Sequence, residues 1–319
     1  MRIYQFTAIQ PQAVTARLIR ASAGADTTVV LDLEDSLWDV DDEARTAELK
    51  AAGRAALTDL ARSHVNLFAG QPIGVRINRV SGPEAALDMD ALAQASRTVT
   101  FDCIVTTKVE TAAEITTTLA RLREASVAFR TVIPIVETRR GIAALDEIAA
   151  AARDAGLNSL CYGHFDYALD AGWWPIPDPR EPSFWSGVEP LIRQIESAGL
   201  AYVHPPYFET RDRAGLGRIV ERLTSTCGRE FGLITVGPRQ SALARRVAES
   251  STVTVEHTAE LELDRSVKSP TALARRITAS YLAGDRGSAS FFLDPASGRF
   301  ISPHVYLAAR EYLRRTAGE

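Results

Sequence analysis

Short apolar runs punctuate the first 250 residues at intervals, with longer amphipathic stretches between them. The runs fall at residues 3–9, 28–34, 72–78, 103–110, 131–138, 159–166, 200–206 and 231–237. They are rich in Val, Ile and Thr and often apolar without alternation, the pattern of strands buried on both faces, as in parallel sheets. The intervening segments 41–63, 111–125 and 142–156 carry Ala, Leu and Arg at helical spacing. The last of these ends at Gly156, a helix-stop residue. Strand–helix alternation of this kind predicts an α/β fold, a (β/α)8 TIM barrel spanning residues 1–250. An open doubly wound sheet is the alternative, but the Gly-rich turn that would favour it does not follow the first strand. Residues 251–319 read differently. A polar stretch leads to a hairpin-like piece (288–304) and a final helix (305–317), a C-terminal helical and hairpin extension expected to close over a barrel mouth, its own or a neighbour's.

Composition narrows the partners. The chain has 319 residues, 46% hydrophobic and 24% charged, with a net charge of −4. A basic excess is missing, which argues against nucleic acid or an anionic membrane as partner. Three scattered cysteines, Cys103, Cys161 and Cys227, show no metal-binding spacing and suit a reducing compartment. The N-terminus lacks a signal-like apolar core, and no run approaches the ~20 apolar residues of a membrane span. A cytoplasmic enzyme is the expectation.

Charged residues at the ends of the apolar runs supply the candidate chemistry. Glu34 and Asp35 close the second run, Glu137 the fifth and Asp166 the sixth, while Arg76 lies in the third. In a parallel barrel these ends converge on one mouth. Glu137 and Asp166, taken as neighbouring strand ends, offer the oxygen ligands that Mg²⁺ takes, although acids in such places also cap helices or pair with arginine. Arg76 can grip a carboxylate or steady a developing oxyanion, or form an ion pair with Glu34 or Asp35. Lys108 is a further candidate cation. His164, two residues before Asp166, would share its face on a strand and has the intrinsic pKa of a general base; a core histidine is the competing reading, and His204 invites the same two. The loop 168–185 carries Trp173, Trp174 and Trp185 among Pro175, Pro177, Pro179 and Pro182. It reads either as an aromatic wall over the substrate or as a packed surface or subunit contact.

These segments resemble the citrate lyase β-subunit-like proteins of the HpcH/HpaI aldolase and malyl-CoA lyase superfamily. LDLEDSLWDVDDEAR (31–45) resembles their DLED signature, GVRIN (74–78) their VRVN and TTKVET (106–111) their PKVE. IVETRRGIAALDEIA (135–149), YGHFDYALDAG (162–172), FGLITVGPRQ (231–240) and SGRFISPHVYLAAR (297–310) match later motifs in the family's order. The resemblance covers nearly the whole chain. It implies a (β/α)8 barrel whose members make or break a carbon–carbon bond next to a carbonyl through a metal-stabilised enolate. It implies Glu137 and Asp166 as Mg²⁺ ligands, Arg76 as the oxo-acid and enolate arginine, and Glu34 and Asp35 as the acids that orient it. Lys108 matches a lysine of unassigned role.

Departures from the motifs bear on the substrate. The N-terminal RSxLFVPG pattern of CoA-using members is missing from RIYQFTAIQPQ, the lid aspartate is replaced by Ser302, and the histidine of IHPxQ by Gly237. A serine cannot act as a carboxylate base, so another group, such as His164, His204 or Asp294, would have to move the proton. The expectation is a Mg²⁺-dependent lyase or aldolase acting on a small oxo-acid, with a CoA thioester as candidate substrate and a homo-oligomeric, trimer-like assembly. A pyruvate aldolase without CoA, or a barrel that has lost catalysis and binds a ligand, are the alternatives.

Overall fold

The computed structural model describes residues 1–22, 27–249, 269–284, 290–295 and 297–317. Eight strands form a closed parallel barrel in chain order: β1 (Arg2–Ala8), β2 (Thr27–Asp32), β3 (Ile73–Ile77), β4 (Phe101–Thr106), β5 (Phe129–Val136), β6 (Ser159–Tyr162), β7 (Ala201–His204) and β8 (Gly232–Thr235). Pairing of β1 with β8 closes the ring and rules out the open sheet. Around it run α1 (Gln12–Ala21), α2 (Glu43–Ser63), α3 (Val65–Gly70), α4 (Ala85–Ala95), α5 (Ala112–Glu124), α6 (Arg139–Ala143), α7 (Leu145–Asp154), α8 (His164–Asp170), α9 (Pro182–Ser197), α10 (Arg213–Thr226) and α11 (Pro238–Glu249). The amphipathic stretches fold as expected. Asp42 caps α2 by accepting from the Arg45 N–H, and Gly156, at φ +77°, ends the α7 turn.

Side-chain parity divides the barrel into two cores. Leu31, Ile73, Val75, Ile77 and Leu160 point outward and pack under the helices. Tyr4, Val30, Cys103, Val105, Ile133, Ile135, Cys161, Val203 and Ile234 fill the barrel itself. Cys103 and Cys161 are thus small buried side chains. The inward parity of Val30 and Ile135 continues to Asp32 and Glu137, which carries polar chemistry to the C-terminal rim. Active sites of such barrels sit on that rim.

The extension begins, among the described residues, with α12 (Pro270–Ala283). A two-stranded antiparallel hairpin of β9 (Phe292–Leu293) and β10 (Phe300–Ile301) follows, and then α13 (Pro303–Ala317). Much of the polar stretch, and His257 within it, lie outside the described residues. The helices have a small core of their own (Ala274, Ile277, Tyr281, Val305 and Tyr306), with the Tyr281 and Tyr306 rings stacked at 4.4 Å. The extension closes the mouth of its own barrel. The Ser290 N–H donates to the Ser36 carbonyl (2.9 Å), the Trp38 N–H to Ser290 Oγ (2.5 Å), and the Phe300 N–H to the Phe208 carbonyl (2.9 Å).

Two expectations change here. His164 and Asp166 are not on a strand: β6 ends at Tyr162, and both lie in the first turn of α8. The sixth apolar run continues past the true strand end because the helix start is itself buried. The tryptophans of loop 168–185 do not wall the cavity. Trp174 donates from Nε1 to the Pro270 carbonyl (3.0 Å), Trp185 is buried against His204, and Trp173 is 45% exposed.

Candidate active site

A cavity of about 270 Å³ opens at the C-terminal rim, between the barrel and the extension. Its floor is charged and its upper wall aromatic, with Phe165 and Phe208 stacked at 4.1 Å and Phe291 and Phe300 lining the same space.

Arg76 anchors the floor. It donates from Nε to Asp32 Oδ1 (2.8 Å), from Nη2 to Asp32 Oδ2 (2.5 Å) and from Nη1 to Asp35 Oδ2 (2.9 Å), and Nη1 lies 3.1 Å from Glu34 Oε2. Strand register explains the fork, since Asp32 on β2 pairs directly with Arg76 on β3. Asp32 also accepts the backbone N–H groups of Glu34 (2.9 Å) and Ser36 (3.0 Å), which holds the β2 exit in a tight turn. Both readings of Arg76 therefore meet in one residue. It is ion-paired, and it lines the cavity.

Lys108 follows β4 in the left-handed region (φ +54°), a strained backbone for a residue with a Cβ. Neighbouring hydrogen bonds hold it there: its own N–H donates to Glu137 Oε1 (2.9 Å), and the Val109 N–H to the Ile135 carbonyl (3.0 Å). Its ammonium contacts Glu34 Oε1 and lies 3.2 Å from Asp166 Oδ1 and 3.5 Å from Asp35 Oδ1. Glu137 follows β5 directly and is buried. Gly163 is required beside it, because a Cβ there would fall 2.3 Å from Glu137 Oε2.

Among the described residues, Asp32, Glu34, Asp35, Glu137 and Asp166 thus face only Arg76 and Lys108 as permanent cations. The deficit shows in the titration of the group. Burial and the Asp35 charge push Glu34 up to about 8, against Lys108 and Arg76. Burial and Asp166 push Glu137 well above the carboxylate range. Asp35 and Asp166 stay low in spite of burial, held by Lys108 and His304. Burial and crowding thus work against charge on the two glutamates, a strain that added positive charge would relieve, so this donor set fits a divalent cation.

Sequence reasoning passed over two residues. Asp32 is the first acid of the DLED motif. His304 opens α13 in the extension, and its Nε2 sits 3.0 Å from Asp166 Oδ1 and 3.6 Å from Asp35 Oδ1. The histidine stands in SGRFISPHVYLAAR (297–310), two residues after the Ser302 departure, but nothing in that segment tells which acids it meets. Ser302 is buried at the start of α13, where its Oγ accepts the Val305 N–H (3.3 Å).

His164 and His204 lie apart from the acids' ring. His164 packs on Phe165 (3.9 Å) and Phe184 (5.4 Å). His204 stacks on Trp185 (5.5 Å) and meets the Tyr202 hydroxyl at Nδ1 (3.2 Å). Burial lowers both to about 3, helped at His204 by His164 and opposed at His164 by Asp178 and Asp166. His164 lines the cavity, but at about 3 both are weak proton acceptors packed among aromatic rings, so the core-histidine reading fits them better than the general base. An unfolded histidine titrates near ~6.5. Between that pH and about 3 the unfolded chain binds protons that the folded chain refuses, so stability falls as pH drops through this window. At one pKa unit per ~1.4 kcal/mol, each histidine should cost about 2 kcal/mol by pH 5. Urea unfolding of His204→Gln should show a correspondingly smaller loss between pH 7 and pH 5 than the wild type. Equal losses would mean that His204 is protonated in the fold.

Residues 5–205 match the sequence profile of the HpcH/HpaI aldolase/citrate lyase family, more than half of the chain. The chain belongs to this family. It is accordingly a carbon–carbon lyase. Curated protein sequences give no match. Solved structures give many similar folds. RipC from Yersinia pestis matches at 24% identity, TM-score 0.54, over 79% of this chain and 96% of that one. The citrate lyase β subunit from Mycobacterium tuberculosis complexed with oxaloacetate and magnesium matches at 22% identity, TM-score 0.57, over 78% and 96%. CitE from the same organism in complex with magnesium, acetoacetate and coenzyme A matches at 22% identity, TM-score 0.57, over 100% and 98%. At these identities the likeness establishes the shared barrel. Among the described residues, no helix is long and apolar enough to cross a membrane.

Proposed function

We propose that this HpcH/HpaI-family protein makes or breaks a carbon–carbon bond next to the carbonyl of a small oxo-acid, through an enolate held beside a Mg²⁺ ion. The observation that carries this reading is the excess of buried carboxylates over cations around Arg76 and Lys108 at the barrel mouth. Asp166 and Glu137 are the residues proposed to hold the ion. When bound, it supplies the Lewis acidity that lowers the cost of an enolate oxygen.

The chain's own groups set up the rest. Three hydrogen bonds to Asp32 and Asp35, with Glu34 in ion-pair contact, fix Arg76 and leave two of the guanidinium's five donors, one on Nη1 and one on Nη2, outside those bonds. A guanidinium fixed in advance needs no reorganisation as negative charge develops on a substrate oxygen. Phe165, Phe208, Phe291 and Phe300 keep water from the reacting carbon, so charges on the floor act in a low dielectric. The cavity's size favours a small acid, since about 270 Å³ lies below the usual ligand-pocket range of ~300–1,000 Å³. A CoA thioester remains the second reading, favoured by the magnesium- and coenzyme A-bound relative.

Proton exchange in D₂O distinguishes these. With Mg²⁺ present, one sample holds pyruvate and another acetyl-CoA with oxalate as oxo-acid mimic. Deuterium entering the pyruvate methyl group supports an oxo-acid enolate, and deuterium entering acetyl-CoA supports the thioester reading. Silence in both, with the protein folded, would refute enolate formation on either donor and favour a barrel that only binds.

A further inference from the structure

His304 is the least expected member of the site, because it comes from the C-terminal extension and not from the barrel. Its side chain is 4% exposed. Nε2 is buried and makes no hydrogen bond of standard geometry among the described residues, although it lies at ion-pair distance, 3.0 Å, from Asp166 Oδ1. A buried ring nitrogen with no partner is costly unless something else satisfies it. The same nitrogen is 3.6 Å from Asp35 Oδ1, and one donor atom from each of Asp35, Asp166 and His304 fits within a 4.8 Å span. The three residues come from the β2 exit, the first turn of α8 and the start of α13.

We propose that His304 is a further ligand of the ion held at Asp166 and Glu137, a lid nitrogen that meets Asp166 and Asp35 on one side of the ion and favours Mn²⁺-like ions over Mg²⁺. The inference rests on the reading above that a divalent cation binds at Asp166, and it adds the lid nitrogen and the ion preference. Mg²⁺ takes oxygen ligands and water, whereas imidazole nitrogen suits first-row transition ions. The competing occupant is visible: the Lys108 ammonium lies 3.2 Å and 3.5 Å from the same two carboxylate oxygens. The Lys108 side chain is 30% exposed, whereas His304 is enclosed at 4%. Lysine would therefore yield to an arriving ion while histidine stays. A ligand from the extension also means that the ion ties the extension to the barrel.

Full-length protein loaded with MnCl₂ and studied by pulsed electron paramagnetic resonance gives the test. The expected result is a ¹⁴N coupling that changes to the ¹⁵N pattern when the protein carries ¹⁵N-histidine. His304→Gln should lose the coupling and weaken Mn²⁺ binding by at least ~10-fold, the lower end of what a lost partner costs a metal site, while Mg²⁺ affinity moves much less. Mn²⁺ bound without nitrogen coupling in the wild type would overturn the role of His304 and leave the carboxylate site standing. No binding of Mn²⁺ or Mg²⁺ by the wild type would overturn both. The isotope experiment needs no variant, so a misfolded His304→Gln cannot obscure the answer.

Discussion

Glu137→Gln combined with Asp166→Asn is expected to abolish Mg²⁺ binding and to cut the exchange rate by about a thousandfold, with the barrel intact. The magnitude follows from losing roughly 4 kcal/mol of charge stabilisation at the enolate, at ~1.4 kcal/mol per factor of ten. The fold should survive for a physical reason. Glutamine keeps the length of Glu137 and an oxygen to accept the Lys108 N–H, and burial and Asp166 already work against a charge there. Asp166 gives up one contact with Lys108 and one with His304, but Lys108 keeps Glu34 and Asp35. Calorimetry would show whether the ion is lost, and circular dichroism whether the fold is kept. Unchanged Mg²⁺ affinity in a folded double variant would remove both residues from the metal site.

Arg76→Met should be the most damaging single change to stability. It strands Asp32, Glu34 and Asp35, all buried, with Lys108 as the one remaining permanent cation among the described residues and in contact with only Glu34 and Asp35. Removing one partner from a buried ion network costs about 3–5 kcal/mol, because the remaining charges are left uncompensated. Arg76→Lys keeps the charge but not the fork that grips both oxygens of Asp32, so it should fall between the two. Urea unfolding at pH 7 measures this directly. A loss below about 1 kcal/mol for Arg76→Met would place the three acids in solvent-like surroundings, contrary to their burial.

The barrel was legible because parallel strands buried on both faces leave uninterrupted Val-, Ile- and Thr-rich runs, and all eight appear near their expected places. Arg76, Glu34, Asp35, Glu137, Lys108 and Asp166 do converge on one mouth. The errors arise where a strand ends. The sixth run reads through Gly163 into a buried helix start, so parity placed His164 with Asp166 on a strand that stops at Tyr162. Asp32 is hidden by its motif, since pairing it with Arg76 requires the register of β2 against β3. His304 is 138 residues beyond Asp166, and only the extension's docking brings the two together; no local pattern encodes that approach. The Trp-rich loop read equally well as wall or packing, and its contacts with α12 and the β7 end decide for packing.

Oxalate, planar and doubly charged like a pyruvate enolate, probes the central claim most directly. Titrated by calorimetry into the wild-type protein, it should bind with Mg²⁺ present and lose measurable binding in EDTA, since the acid-rich floor repels an anion until a cation intervenes. Oxalate binding of equal strength in EDTA would mean that Arg76 and Lys108 alone recognise the acid, and would contradict a metal-held enolate.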